Sequence, residues 1–465
     1  MAMGRRKHQQ ESIWVSTAEL PQGPGHPFYE RLNRILDEAG FDAFAEKCCE
    51  RFYARKVGRP SLQPGRYFRL LMLGYLEGLD SERGIAWRAA DSLGVRGFLG
   101  LGLEERAPDH STISRTRRLI DKETHEEVFC WALERLAGAG LLRGKTLMID
   151  ATTLEANAAM RNIVRRDTGE RYEEYLTRLA KESGIRTPTR AALARLDRRR
   201  KKKGSNKEWR SRTDAAAKIA KMKDGRTHLA HKAEHVVDAD SGAVVAVTIQ
   251  GADLGDTSTI KESLGEATGN IKKLKAKRSL RDVIEGPKEI VADKGYHSDA
   301  VLLGLGEANL RAYISEPDRG RRRWRGNKSA QRAVYANRRR VRGERGARLQ
   351  RRRGEYAERP FAHLYRTGRM RRTHLRGHPN IAKRVLIHAA AFNLGRLLRA
   401  LLGVGTPRSL QGRRGTLLRS LLTLYRALRP LLIAGERQTH ARATSVPAQD
   451  LHQALATDRR STTGC

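Results

Sequence analysis

Lys145 to Asp150 reads KTLMID, and Glu289 to Tyr296 reads EIVADKGY. In each, strand-type apolar residues run straight into a carboxylate, which puts Asp150 and Asp293 at the mouths of two buried strands. One such aspartate is as well explained as the N-cap of a following helix. Two of them in one strongly basic chain point instead to paired acids and a metal site.

Outward from these strings the pattern is that of a sheet. AEHVVDADSGAVVAVTIQGA, from Ala233 to Ala252, holds two alternating runs joined by Asp238 to Gly242, the signature of a β-hairpin. A polar helix is expected from Asp256 to about Lys277, then the strand EIVAD, a helix from Ser298 to about Glu307, and the strand LRAYIS. Three strands, helix, strand, helix, strand gives a mixed α/β sheet, an antiparallel hairpin beside parallel strands with crossover helices. Residues 155–227 interrupt it as a polar, helical insertion. Its run RRRKKKG, Arg198 to Gly204, precedes NKEWRSR with Trp209. This segment either grips a DNA backbone or is a loop around a buried Trp.

Composition names the partner class. Lys and Arg number 92 against 52 Asp and Glu, a formal charge of +40, which implies a polyanion. Hydrophobic residues at 39% are enough for real cores, so the chain is not merely a basic tail. Four cysteines, Cys48 and Cys49 adjacent and Cys130 and Cys465 isolated, give neither a disulfide framework nor a zinc spacing. A cytoplasmic protein, nucleoid-associated when bound, is expected. The start, MAMGRRKHQQES, lacks an apolar run after its basic residues, and no stretch is read as long enough for a membrane span.

Helical periodicity covers residues 27–57 and 64–100, with Phe68, Leu70, Leu71, Leu73 and Leu76 on a buried face and Pro60 and Pro64 marking the break. A shorter helix runs from Ser81 to Ser92. In APDHSTISRTRRLID, Asp109 or Ser111 caps a helix bearing Arg115, Arg117 and Arg118, read either as DNA-reading or as the solvated basic face of a bundle.

Residues 319–353 are dominated by arginine: Arg321, Arg322 and Arg323; Arg338, Arg339 and Arg340; Arg351, Arg352 and Arg353. Such a density repels itself without a polyanion, so phosphate contact is the expectation. Beyond it Glu355 and Glu358 stand three apart, on one helical face. Pro360 disfavours helix at Arg359 and sets Glu358 at a helix start or kink.

The triple of Asp150 in MIDATTLEANA, Asp293 in VADKGYHS and Glu358 in ERPFAHLYRTGRMRRTHLRG resembles the acidic triad of bacterial insertion-sequence transposases of the DDE type. It is most similar to the groups carrying DKGY at the second aspartate. The resemblance runs from about Gly58, where GRPSLQPGRYFRLLMLGYLEGLDSERG looks like their amino-terminal helical module, to about Leu398. It implies a ribonuclease H-like catalytic domain, with Asp150, Asp293 and Glu358 as metal ligands. Two departures stand out. Tyr365 lies where a basic residue often follows the glutamate by seven positions, and RRRG lacks the tyrosine-and-arginine spacing that some relatives keep.

The chemistry suits that implication. Three nearby acids raise one another's pKa, and divalent metal relieves the repulsion. Hard oxygen ligands favour Mg²⁺, or Mn²⁺, with phosphate oxygens completing the shell. Two ions about 4 Å apart would serve both DNA cleavage and joining of the freed 3′-hydroxyl. Lys294 is expected on phosphate, while Tyr296 either positions a phosphate or packs under its strand. Thr152 and Asn157 are weaker candidates for support of the first acid. Expected partners are double-stranded DNA and a second copy of the chain, with no membrane. The alternatives are a metal-dependent DNA nuclease without strand transfer and a non-enzymatic nucleic-acid packaging protein.

The expected organisation is an extension (1–57), a helical DNA-binding module (58–140), the catalytic domain (141–405), a C-terminal helix (406–436) and a tail (437–465). Helix Ile381 to Leu402 is read as closing a face of the sheet.

Overall fold

The computed structural model describes residues 26–54, 61–200, 204–222, 225–318, 320, 322–324 and 326–410. Five strands form the body of a six-stranded sheet: β1 (Thr146–Glu155), β2 (Thr227–Asp238), β3 (Val244–Gly251), β4 (Glu289–Ala292) and β5 (Arg311–Ile314). They lie in the order β3-β2-β1-β4-β5, with β2 antiparallel to both neighbours and β4 and β5 parallel to β1. This is a mixed α/β protein with a ribonuclease H-like sheet.

Local sequence explains the strands. Thr146 to Ile149 are buried without alternation, as expected of a strand covered on both faces, and burial relaxes from Asp150 onward. The β2–β3 turn is held by the Asp238 carboxylate, which accepts from the backbone N–H of Ser241 at 2.9 Å and of Gly144 at 3.1 Å. The hairpin is thus tied to the entrance of β1.

The insertion after β1 is not purely helical, and that expectation is corrected. Besides helices Tyr172–Glu182 and Arg190–Arg199 it carries the antiparallel strands Ile163–Arg165 and Trp209–Ser211, while Lys218–Lys221 extends the main sheet along β2. Trp209 is 1% exposed, with the rings of Tyr172 and Tyr175 edge-on and the Arg165 guanidinium over its face. It is the core of this small unit rather than a DNA contact, because three neighbours cover its ring.

The helical module and the sheet share one core. The apolar cluster runs without interruption from Phe28 to Val404. Helix His378–Leu402 lies at its centre, packed on β3 and on helices Pro64–Glu77 and Lys122–Gly138. Asn393 on that helix accepts from Val244 N at 3.0 Å and donates to Val244 O at 2.8 Å, pinning β3 to it. The reading that no stretch is long enough for a membrane span is corrected here. By length and composition His378–Leu402 qualifies, but 72% of its apolar window is buried inside the protein, as in a core helix. The two long amino-terminal periodic stretches are also broken: Gly40, at φ 61°, separates Pro27–Glu38 from Phe41–Cys49, and Gly78, at φ 67°, ends Pro64–Glu77.

Helices Lys328–Arg342 and Glu344–Tyr356 take up most of the arginine-rich stretch and cover β5, the edge of the sheet. Asn337 accepts from Ile314 N and donates to Ile314 O, and Gln350 donates to Tyr313 O at 2.7 Å. These side chains satisfy edge backbone groups that no further strand pairs among the described residues. Arg321, Lys201 to Lys203, Pro60, the C-terminal helix beyond residue 410 and the tail lie outside the described residues.

Candidate active site

Asp150 and Asp293 come together because β1 and β4 are parallel neighbours. Each aspartate stands two residues past the Met148–Val291 rung and so at the same level; Asp293 lies just past the end of β4, but Asp150 sits midway along β1, which runs on to Glu155, so its expected place at a strand mouth is corrected. Asp150 accepts from Ala151 N at 2.8 Å. Asp293 caps the short turn Lys294–Tyr296, its Oδ1 accepting from Gly295 N at 2.8 Å. Glu358 arrives from the other end of the domain. Helix Glu344–Tyr356 ends before it, a short helical segment Glu358–Phe361 begins on it, and a wider π-type turn, Ala362–Thr367, follows. Pro360 is buried within that first turn, the position a proline tolerates.

The three acids line a single cleft of about 700 Å³ together with Thr152, Arg353, Arg359, Arg366, Arg371 and Tyr365. Burial is the largest influence on Asp150, whose carboxyl is pushed up to about 6; Asp293 and Glu358 raise it further, while the Ala151 N–H and Arg353 oppose the shift. Arg353 Nη1 lies 3.5 Å from Asp150 Oδ2. Glu355, three residues before Glu358, lines the same cleft and is paired with Arg359 at 2.9 Å.

The donor set of the cleft is all hard oxygen, which suits Mg²⁺ or Mn²⁺. Among the described residues, however, no three His, Cys, Asp or Glu side chains are close enough together to hold an ion by themselves.

The basic candidates divide by what they touch. Arg115 and Arg118 are exposed on helix His110–Leu119, which Asp109 caps. Arg117 on the same helix is buried, with Nε 2.6 Å from Glu82 and Nη1 2.6 Å from Asn380, so its assignment to a DNA-facing surface is corrected. Tyr296 is likewise buried, its hydroxyl donating to Glu234 at 2.7 Å, and packs beneath the strand end rather than facing a phosphate. Arg322 pairs with Asp299, Arg338 with Glu316 at 2.5 Å, and Arg340 donates to Ala312 O at 2.9 Å, so all three brace the fold. Arg352 lies over the Tyr356 ring and 3.4 Å from Asp240. Lys294, Arg323, Arg339 and Arg351 are exposed. Asn157 donates to His374 O at 3.1 Å, away from the acids.

Two groups went unread in the sequence. Lys232 is buried between Asp256 at 2.6 Å and Glu234 at 3.3 Å, directly under the Asp293 turn. His235 meets the hydroxyl of Tyr365 through Nε2. The signal was available in KAEHVVD, where Lys232, Glu234 and His235 put three polar side chains into a strand that is buried almost throughout.

Two family models match the chain. A transposase domain (DUF772) matches residues 17–119, the helical module, and a transposase DDE domain matches residues 315–398, the segment bearing Glu358. Together the two matches support an insertion-sequence transposase of the DDE type. No curated protein and no solved structure matches it. The DDE match begins beyond both aspartates, which share the cleft with Glu358. Transposase families act on DNA, in keeping with the excess of basic residues.

Proposed function

We propose that this transposase cleaves the ends of its own insertion element and joins the freed 3′-hydroxyl to target DNA, using Asp150, Asp293 and Glu358 at one site. The observation that carries the reading is the convergence of these three acids, from the middle of one strand, the end of its neighbour and a helix start, in a cleft also lined by Arg353, Arg359, Arg366 and Arg371. When bound, divalent Mg²⁺ or Mn²⁺ supplies positive charge to the scissile phosphate and an acidified water. Asp150 and Asp293 would hold such an ion from the sheet side and Glu358 from the helix side. Arg366 and Arg371, on the cleft, would draw the DNA backbone toward it, and Lys294 would take a phosphate at the Asp293 end. The exposed Arg115 and Arg118 would contact DNA from the helical module. Because the same acids serve both steps, no covalent protein–DNA link is needed.

The test is incubation of the full chain with a duplex carrying its flanking DNA, Mg²⁺ and a supercoiled target. Cleavage followed by covalent joining is expected. Cleavage without joining would reduce the protein to a nuclease, and DNA binding without either would leave a packaging protein. Two copies acting on a pair of ends, the expected assembly, would appear as a complex of doubled mass only when DNA is present.

A further inference from the structure

Arg353 occupies an unusual place among the arginines of the cleft. It lies on helix Glu344–Tyr356, just before Glu358, and extends to the first acid, Nη1 standing 3.5 Å from Asp150 Oδ2. Both side chains are 19% exposed, so the contact is shielded in a way that a surface pair is not. The guanidinium is also incompletely satisfied: its Nε is buried without a hydrogen-bond partner. Arg359, by contrast, is already paired with Glu355.

These facts set up a competition. An ion held by Asp150 would need the carboxylate oxygen that Arg353 now faces, and two cations within a few ångströms repel strongly where water is scarce. Arg353 must therefore leave Asp150 before metal can settle there. A guanidinium with an unused donor has an obvious alternative acceptor in the cleft, the phosphate of an incoming DNA strand, which it can grip with two donors.

We propose that Arg353 is an exchangeable counter-ion: it rests on Asp150 in the free protein and moves to a DNA phosphate when the element end enters, releasing Asp150 for metal. This rests on the assignment of Asp150 as a metal ligand. It makes metal and DNA binding mutually reinforcing, since whatever draws Arg353 away from Asp150 helps the other to bind. A free protein would then hold little metal at the site.

The test measures Mn²⁺ binding to the full chain by electron paramagnetic resonance, with and without a duplex of its flanking DNA. Asp150→Asn, carried through both conditions, subtracts ions bound elsewhere or by the duplex. In the wild type the Asp150-dependent affinity should rise about tenfold with DNA, within the usual range for coupled sites. In Arg353→Gln the affinity without DNA should already be raised by a similar factor and the coupling should vanish. Arg353→Lys, which keeps the charge, should keep the weak DNA-free affinity and part of the coupling, and guards against a glutamine variant that folds poorly. If Asp150→Asn binds Mn²⁺ as the wild type does, the metal-ligand reading itself fails. If it loses the ion but Arg353→Gln behaves as wild type in both conditions, the ligand reading survives and the exchange is refuted.

Discussion

Asp150 stands directly opposite His235 across the β1–β2 pair, and His235 in turn meets the hydroxyl of Tyr365. Tyr365 lies one π-type turn beyond Glu358, so this contact ties the helix that carries the third acid to the strand that presents the first. The histidine is kept neutral by burial, which pushes its pKa down to about 3, and so behaves as a fixed hydrogen-bonding partner.

Tyr365→Phe should therefore impair cleavage while leaving DNA affinity intact. The change leaves a buried ring nitrogen unpaired, at a cost of about 1–3 kcal/mol, and frees the Glu358 segment to drift. Thermal unfolding and single-turnover cleavage on the same preparation check it. Wild-type cleavage in a destabilised variant would show that the tether serves the fold alone.

Asp150→Asn, Asp293→Asn and Glu358→Gln should each abolish cleavage with binding nearly unchanged, because none touches the exposed arginines. Glu355→Gln should remain active, its carboxylate being committed to Arg359. The comparison is cleavage rate against gel-shift affinity. An inactive Glu355→Gln beside an active Glu358→Gln would exchange the roles of the two glutamates.

Gly295→Ala should be damaging beyond its size. A β-carbon there would come 2.5 Å from Asp256 Oδ2 and 3.0 Å from Asp293 Oδ1, and Asp256 cannot readily yield because Lys232 holds it at 2.6 Å. The second acid must then shift, and misplacement of a reacting group by about 1 Å can cost on the order of a hundredfold in rate. Retained folding by circular dichroism with strongly reduced cleavage is the expected result; unaltered cleavage would show that the turn is forgiving.

Metal-free stability should depend on the Asp150 charge. Its carboxyl is raised from 3.8 to about 6 in the folded protein, so folding favours the protonated form; stability is fully present below about pH 4 and is lost as pH rises to about 6. At neutral pH the loss is about 2 kcal/mol after allowing for residual solvent access. Asp150→Asn should remove this pH dependence in chelator, while added Mg²⁺ should raise the melting temperature of the wild type and not of the variant. Parallel pH curves for the two proteins would count against the shift.

The salt dependence of DNA binding should separate outward arginines from inward ones. Replacing Arg323, Arg339 and Arg351 with Ala should lower the slope of log affinity against log salt by about one for each phosphate no longer neutralised. Arg117→Ala should leave the slope alone and cost about 3–5 kcal/mol of stability, since it strands Glu82 beside a buried site. A changed slope in Arg117→Ala would return that residue to the DNA surface.

What the sequence disclosed follows from where its information is local. The hairpin and the junction of β4 with Asp293 were legible because periodicity and turn chemistry lie within a few residues of each other, whereas β1 runs on through Asp150 to Glu155 because its pairing with β2 continues there. The helix start at Glu358 was legible from Pro360. The inward-facing arginines were not, because Arg117 finds its partners at Glu82 and Asn380, and Arg338 finds Glu316, by folding rather than by spacing. A run of arginines reads as surface until the acid that claims one of them is placed beside it. His235 stood out as a polar residue in a buried strand, but its partner Tyr365, 130 residues away, had no local trace.

The central helix His378–Leu402 has a bearing on how such a protein can evolve. Since it is wedged between β3 and the amino-terminal helices, its apolar faces are matched to both at once. A recombination event that brought in a foreign amino-terminal half would meet a mismatched seam of side chains, and one that dropped that half would leave the seam wet. Exchange of either half would therefore have to preserve that seam, whereas substitutions at exposed positions leave it untouched.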